Sequence, residues 1–535
     1  MTKSRDIASK QSDANNNTTY GTNALPVNTT GVSNVAVGRE ALLNNASGQQ
    51  NTAVGNVALK LNVGGLLNTA IGASALFSNV TGYNVAVGGY SMYSNTTGVF
   101  NVAVGNSTMQ FNTTGSENTA FGYVALTNNT TGIQNTAVGA YALDANTIGI
   151  NNNAFGYSAL GANTTGNYNV AIGNLTADAI TTGGQNTALG HASLRMVTTG
   201  QYNTVVGSLA MNAGTGATGA SYNTAVGQGA LQNNAANSNV AVGTGTLGAN
   251  TTGTNNVAVG AFALDGNTTG SSNVVVGYNA GNGLQIDNTA IGYQALGANN
   301  ASYQNVAVGR ESLFANTDGV QNTAIGTFAM YANTGGNGNV AVGNAALYAC
   351  TTGVDNVAVG RSALASLTTG TLNTALGLVA GNTGTNNLTT GSNNTLLGYN
   401  AQASSATVSN TVTLGNASIT TLRAQVTSIT ALSDARDKQD IESIPVGLDF
   451  INKLHPVTFT WNMRDGSKVG IKDTGFIAQE LMAAEDEAEL AEYLQLTYRD
   501  NPEKLEATQG RLIPILVKAV QELSAKVAEL EAKVN

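Results

Sequence analysis

The chain has 535 residues, a formal net charge of -9, and charged residues at only 10% of positions, with 65 glycines and 5 prolines. Charge this sparse points to a membrane protein, a disordered segment or a fibrous repeat. No window approaches eighteen consecutive apolar residues, which excludes a transmembrane helix, and the Gly-rich part lacks the high net charge of many disordered chains, so the fibrous repeat remains.

The few charges are unevenly placed: 14 fall in residues 31–400 and 32 in residues 401–535, where Glu485 to Glu492 forms an acidic run. No basic patch supports binding to nucleic acid by counterion release. Cys350 is the single cysteine and His191 and His455 are the two histidines, so neither a disulfide framework nor a Cys/His metal site is expected. No cofactor is predicted. Residues 1–30 carry Lys3, Arg5 and Lys10 without the apolar core of a secretory signal, which points to assembly in a cytoplasm.

From Asn34 onward one unit recurs: Asn-Val-Ala-Val-Gly, two residues, Ala-Leu, two or three residues, then Asn-Thr-Thr-Gly. The glycine closing the pentapeptide returns at Gly38, Gly55, Gly72 and onward to Gly398, giving 22 units, nearly all 17 residues apart. A fixed period of this length signals stacked units that cannot bury their own faces alone. Short β-branched runs between turn signals favour strands. The expected fold is therefore mainly β, a parallel β-solenoid or β-roll with one coil per repeat, on the order of 100 Å long at about 4.8 Å per coil.

Alternation along the strand separates Val35 and Val37 from Asn34, Ala36 and Gly38. The Val face is read as the filling of the coil, and the small uncharged opposite face as a surface packed against neighbouring chains in a homotrimer. Asn34 and its equivalents are expected to stack into amide ladders. The recurrent glycines are expected to supply positive φ.

Spacing departs from 17 at Gly227, Gly292 and Gly398, and insertions in a solenoid emerge as loops. Residues 214–222 and 382–392 are candidate receptor-contacting loops. Asp144, Asp178, Asp265 and Asp287 stand singly, whereas a glycosidase needs two carboxylates about 5 to 10 Å apart; glycan hydrolysis is not the expected activity. Tyr83, Tyr90, Tyr123, Tyr141, Tyr157 and Tyr168 are candidates for an aromatic surface strip.

After Gly398 comes a neck, residues 401–432, with Leu414, Ile419, Leu422, Val426, Ile429 and Leu432 among Thr and Ser, read as intertwined strands. At Ser433-Asp434-Ala435-Arg436-Asp437-Lys438 the composition turns into ordinary charged sequence. A serine attacks an amide only when a base takes its proton, and a lysine kept neutral by burial or a nearby cation such as Arg436 can do so. Five residues is not same-face spacing on a helix or a strand. The hexapeptide must therefore turn, or a second chain must complete the site.

The last segment places Ile513, Val520, Val527 and Val534 at a positions and Leu516, Leu523 and Leu530 at d, a short coiled coil. β-branched a with Leu at d favours two strands; on a domain already held by a neck it is read as three.

Two resemblances follow from these residues. Ser-Asp-x-Arg-x-Lys, with Ile441, Leu448, Leu454-His455-Pro456-Val457, Trp461, Gly475-Phe476-Ile477-Ala478-Gln479-Glu480 and the closing helix, resembles the self-cleaving intramolecular chaperone of phage tail spikes and fibres, the endosialidase type. That resemblance implies Ser433 as nucleophile, Lys438 as its base, and cleavage of the Leu432-Ser433 bond in a single turnover without external substrate. Asn-Val-Ala-Val-Gly is similar to the head units of trimeric autotransporter adhesins, though with a longer repeat.

The expected organisation is an attachment segment (1–30), a solenoid fibre (31–400), a neck (401–432), a small α+β chaperone domain (433–511) and a coiled-coil helix (512–535). The expected protein is a homotrimeric phage tail fibre, assembled in the host cytoplasm and carried on the virion. Its expected partners are a host cell-surface receptor, glycan or protein, and other tail proteins held through the N-terminus, with no nucleic acid and no membrane insertion. A bacterial adhesin with the same chaperone and an ice-binding solenoid, suggested by the repeated Thr-Thr, are the alternatives.

Overall fold

The computed structural model describes residues 11–212, 219–298, 302–419, 421–423, 433–464, 469–499, 501–503 and 505–534. The chain divides into two compact units, one reaching Phe328 with residues 333–335, the other formed by the remaining residues to the C-terminus. In the first unit, β1 (Gln11–Ser12) pairs antiparallel with β2 (Thr18–Tyr20), and β2 then pairs parallel with β3 (Val35–Val37). The parallel ladder continues one strand per repeat to β20 (Thr323–Ile325). Register is strict, with Val35 opposite Thr52, Ala36 opposite Ala53 and Val37 opposite Val54. The second unit carries the same architecture from β21 (Val340–Val342) to β25 (Val412–Leu414). The fold is thus mainly β and a parallel solenoid, and β25 pairs with β24 (Thr395–Leu397) inside the stretch read from sequence as the neck. Val426, Ile429 and Leu432 of that stretch lie outside the described residues.

Which face of the strand is inside differs from expectation. Ala36, Ala53, Ala70 and their equivalents are fully buried, while Val35 and Val37 remain partly exposed. The reason is volume. Most coils also turn a leucine or methionine inward, as at Leu42, Leu59 and Met92, all without exposure, which leaves room chiefly for a methyl group on the strand; where that turn position is Gly281 or Gly381, the strand beside it carries the larger Val275 or Leu396. Alternation identifies two faces; the room left by the leucine decides between them.

The expected amide ladder is present and does more than pair with itself. Asn118 donates from Nδ2 to Asn101 Oδ1 (3.2 Å) and to the Gly132 carbonyl (2.9 Å), while its own Oδ1 accepts the backbone N–H and the side-chain amide of Asn135 (3.0 and 3.2 Å). A second ladder runs through Asn112, which donates to Asn95 Oδ1 (2.7 Å) and Gly115 (2.9 Å). The glycine carbonyls of this ladder already receive an amide from the first, as Gly115 does from Asn101 (2.9 Å). The second ladder is therefore redundant, and apolar Ile180, Val197 and Leu367 replace its rungs while staying fully buried. Where Ile180 follows, Asn163 Oδ1 is left without a partner.

Glycine supplies part of the positive φ. Gly55 sits at φ 142°, and a Cβ there would fall 2.6 Å from the carbonyl carbon of Gly72 in the next coil. In most coils three non-glycine residues also adopt left-handed φ, as Ser33 (60°), Glu40 (57°) and Leu42 (54°) do. Such residues strain the chain locally, and the coil-to-coil bonds hold them; Leu42 N, for example, donates to Ala58 O at 3.0 Å.

Length changes leave the first ladder intact. Asn223 donates to Asn203 across 20 residues, Asn288 to Asn273 across 15 and Asn394 to Asn373 across 21.

Beyond the solenoid, the second unit holds an α+β region. It contains α1 (Leu448–Ile451), the antiparallel hairpin β26 (Val457–Asn462) and β27 (Val469–Gly475), α2 (Ala478–Glu487) and α3 (Ala491–Leu494). A small ladder of β28 (Thr497–Tyr498) with β29 (Glu506–Ala507) follows, then α4 (Leu512–Val534). Phe450, Ala484, Leu494, Leu496, Leu512 and Ile515 form its core. Glu522 of α4 accepts the Leu448 N–H at 2.7 Å, tying the start of α1 to the long helix. Glu485, fully buried, is held by Leu496 N–H, Thr497 Oγ1 (2.5 Å) and Arg499 (3.0 Å). Along α4 the entire a/d stripe stands open to solvent, Ile513 at 62%, Val520 at 64% and Leu530 at 60% among it.

Two outcomes follow. Replacing Asn118 by Ala strands several buried backbone groups and should cost roughly 2–5 kcal/mol, seen as lost hydrogen-exchange protection in the flanking coils; Asn112→Val, copying Val197, should cost about 1 kcal/mol or less. Burial pushes the Cys350 thiol up to about 11 from the ordinary 9.0. At pH 8, alkylation of Cys350 should be about 100-fold slower in the folded than in the unfolded chain, from the thiolate fraction alone.

Candidate functional site

The site is a single tight turn. Asp434, in extended conformation (φ -71°, ψ 135°), caps a 3-10 turn over Ala435–Asp437 by accepting the Arg436 N–H at 2.9 Å. A short acceptor at this position is what such a turn needs. The Arg436 guanidinium folds back onto the same carboxylate, Nη2 to Oδ2 at 2.5 Å and Nε to Oδ1 at 3.1 Å. This bond, followed by the backbone one, holds the Asp434 carboxyl below its usual range.

The turn reverses the chain, and residues five apart meet. Lys438 Nζ lies 2.6 Å from Ser433 Oγ. The turn within one chain is enough to bring the two side chains together. Nζ donates to the hydroxyl here; a lysine that had lost its proton would, at this distance, stand where a base for Ser433 must be. Both residues are exposed. The Arg436 guanidinium, read from sequence as a cation near Lys438, is paired with Asp434. Leu432, on the acyl side of the expected scissile bond, lies outside the described residues.

The other motif residues gather nearby in sequence but play structural parts. His455 Nδ1 lies 3.4 Å from Glu480 Oε2, joining the two runs that flank the hairpin. Trp461 donates from Nε1 to Asp473 Oδ2 at 3.1 Å and meets Phe459 edge-on at 5.1 Å. Asp434 was not singled out in sequence, although an Asp two residues before an Arg, next to a serine, is a recognisable cap. The Glu485–Arg499 pair carried no sequence signal.

Elsewhere, the tyrosines fall into separate lanes. Tyr123, Tyr141 and Tyr157 follow one another edge-on at 5.6 and 5.8 Å, whereas Tyr83 stacks on Phe100 at 5.0 Å. Burial raises the carboxyls of Asp144, Asp178 and Asp265, and Asp178 pairs with Arg195 at 3.4 Å. The loop at 382–392 is pinned by Ser366 to Asn382 (2.6 Å) and Gly384 N–H to Asn387 (2.7 Å); of the other candidate loop, residues 214–218 lie outside the described residues. The first threonine of the repeated pair donates its hydroxyl to the next coil, Thr96 to Thr113 O (2.9 Å) and Thr130 to Thr147 O (3.0 Å), so it offers no free donor to an ice surface. Among the described residues no His/Cys/Asp/Glu group of three or more is arranged to hold a metal, and no helix is long and apolar enough to cross a membrane.

No curated protein matches the chain. Residues 433–490 match the family described as the chaperone of endosialidase, a match that begins at the serine of the dyad, and together with the long parallel β-solenoid before it fits a tail-fibre protein with an endosialidase-type chaperone.

Proposed function

We propose that the chain is a phage tail fibre for host attachment, whose C-terminal domain gathers three chains, guides the solenoid into register and then cuts itself away. The observation that carries this reading is the 2.6 Å Lys438–Ser433 contact, placed where the repeat ends and the chaperone-like segment begins. Homotrimerisation is supported by the open a/d stripe of α4, which has no use in a lone protomer.

The chemistry requires only groups of this chain and water. Ser433 Oγ attacks the carbonyl carbon of Leu432 while Lys438 Nζ takes the hydroxyl proton. The C–N bond breaks as the proton is returned to the departing Ser433 nitrogen, leaving Leu432 esterified to Oγ. Water then hydrolyses the ester to a Leu432 carboxylate, restoring the serine hydroxyl and freeing an α-amino group at Ser433.

A solenoid of near-identical coils has many wrong registers available, and a domain that aligns three chains from one end removes them. Its release leaves the fibre without the aid that folded it, hence kinetically locked. In this reading residues 1–30 attach to other tail proteins, the insertion loops meet a host receptor, and the assembled protein resides on the virion.

Denaturing electrophoresis with intact mass tests the proposal. Wild type should give fragments of 432 and 103 residues, and Ser433→Ala should remain whole. Lys438→Arg keeps the charge but offers no base and should slow cleavage by about 10²–10⁴-fold. An uncut wild type would reduce the domain to a permanent cap.

A further inference from the structure

Across the coils of this one chain, exposure and variability can be compared position by position. The residue after the strand glycine is exposed or half-exposed and changes freely, from Arg39 to Asn56, Ala73, Tyr123, His191 and Arg310. The two outward positions of the strand are also partly exposed, as Ile71 (40%), Val102 (38%), Val257 (36%) and Val276 (37%) show. Yet they hardly change. From β3 to β20 the first is Val or Thr apart from Asn153, the third is Val, Ile, Leu or Phe, and neither is ever charged. A surface left to water has no reason for such uniformity.

We infer that this Val/Thr face is the contact between solenoids of identical chains, not a receptor surface. The partner is selected by period. The face repeats once per coil in exact register, and only another solenoid with the same rise can meet every coil equivalently. With two outward side chains from each strand β3 to β20, it exceeds the 20–30 residues per side of an ordinary stable interface. It is uncharged and largely apolar, with threonine hydroxyls as its main polar groups, as suits such a contact, and sheet faces pack by interdigitating side chains of this kind. The sequence assigned the contact to the opposite, Ala/Asn face, which is buried within the coil.

The inference rests on the trimeric reading above, and the test separates the two. On a Cys350→Ala background, Val102→Cys is compared with Thr114→Cys, an exposed position off the strand face. Sedimentation gives the assembly state, and each purified variant is then treated with a maleimide or with a mild oxidant. In a trimer, Val102→Cys should be protected from the maleimide at least tenfold relative to Thr114→Cys, and should form interchain disulfides where Thr114→Cys does not. A trimer in which Val102→Cys is modified as fast as Thr114→Cys overturns the assigned face and leaves the trimer standing. A monomer overturns both.

Discussion

Everything in the solenoid depends on how the backbone of one coil satisfies that of the next. Parallel strands three residues long pair only at their centres, so the polar groups of the turns must be satisfied otherwise or pay for their burial. The asparagine before each strand solves this, because its carbonyl oxygen takes a main-chain N–H of the next coil while its amide reaches a glycine carbonyl. That double duty explains why this asparagine recurs without an apolar substitute from Asn17 to Asn394, whereas the second asparagine gives way to Ile180 or Val197.

The same arrangement makes the coil hard to begin. A typical coil alone must hold three non-glycine residues at left-handed φ before any neighbour rewards it. Once a coil exists, the next copies its geometry at the cost of ordering a single repeat. A nucleus supplied from outside the repeat is the natural remedy, and a C-terminal domain with its own small core around Phe450 and Ile515 is a source for it. The turn at Ser433 then stands where the two kinds of folding meet, locally ordered by the Asp434–Arg436 bond rather than by either neighbour.

Much of this was legible in the sequence, and the failures have physical causes. The 17-residue period, the strand after each asparagine and the terminal helix follow from spacing alone. The inside and outside of the strand did not, because both candidate faces are uncharged; the decision lies in the volume occupied by Leu42 and Leu59, a tertiary quantity. Ser433 and Lys438 were named by a motif, but the contact between them depends on the cap at Asp434, which no periodicity announces. The pairing of Arg436 with Asp434 was not foreseen, since charge type is visible in sequence and ion pairing is not. The two asparagine ladders look alike in the repeat, and only the second donor on the Gly115 carbonyl distinguishes the indispensable one from the other.

The ladder that steps across 15, 20 or 21 residues as readily as 17 separates two properties that most folds tie together. Axial registry is kept by an asparagine, a glycine and an alanine, while the length and content of the outer bend are unconstrained by it. New recognition surfaces can thus be grafted at the bends of individual coils without retuning the scaffold, and a fibre of this design can change what it touches while keeping how it is built.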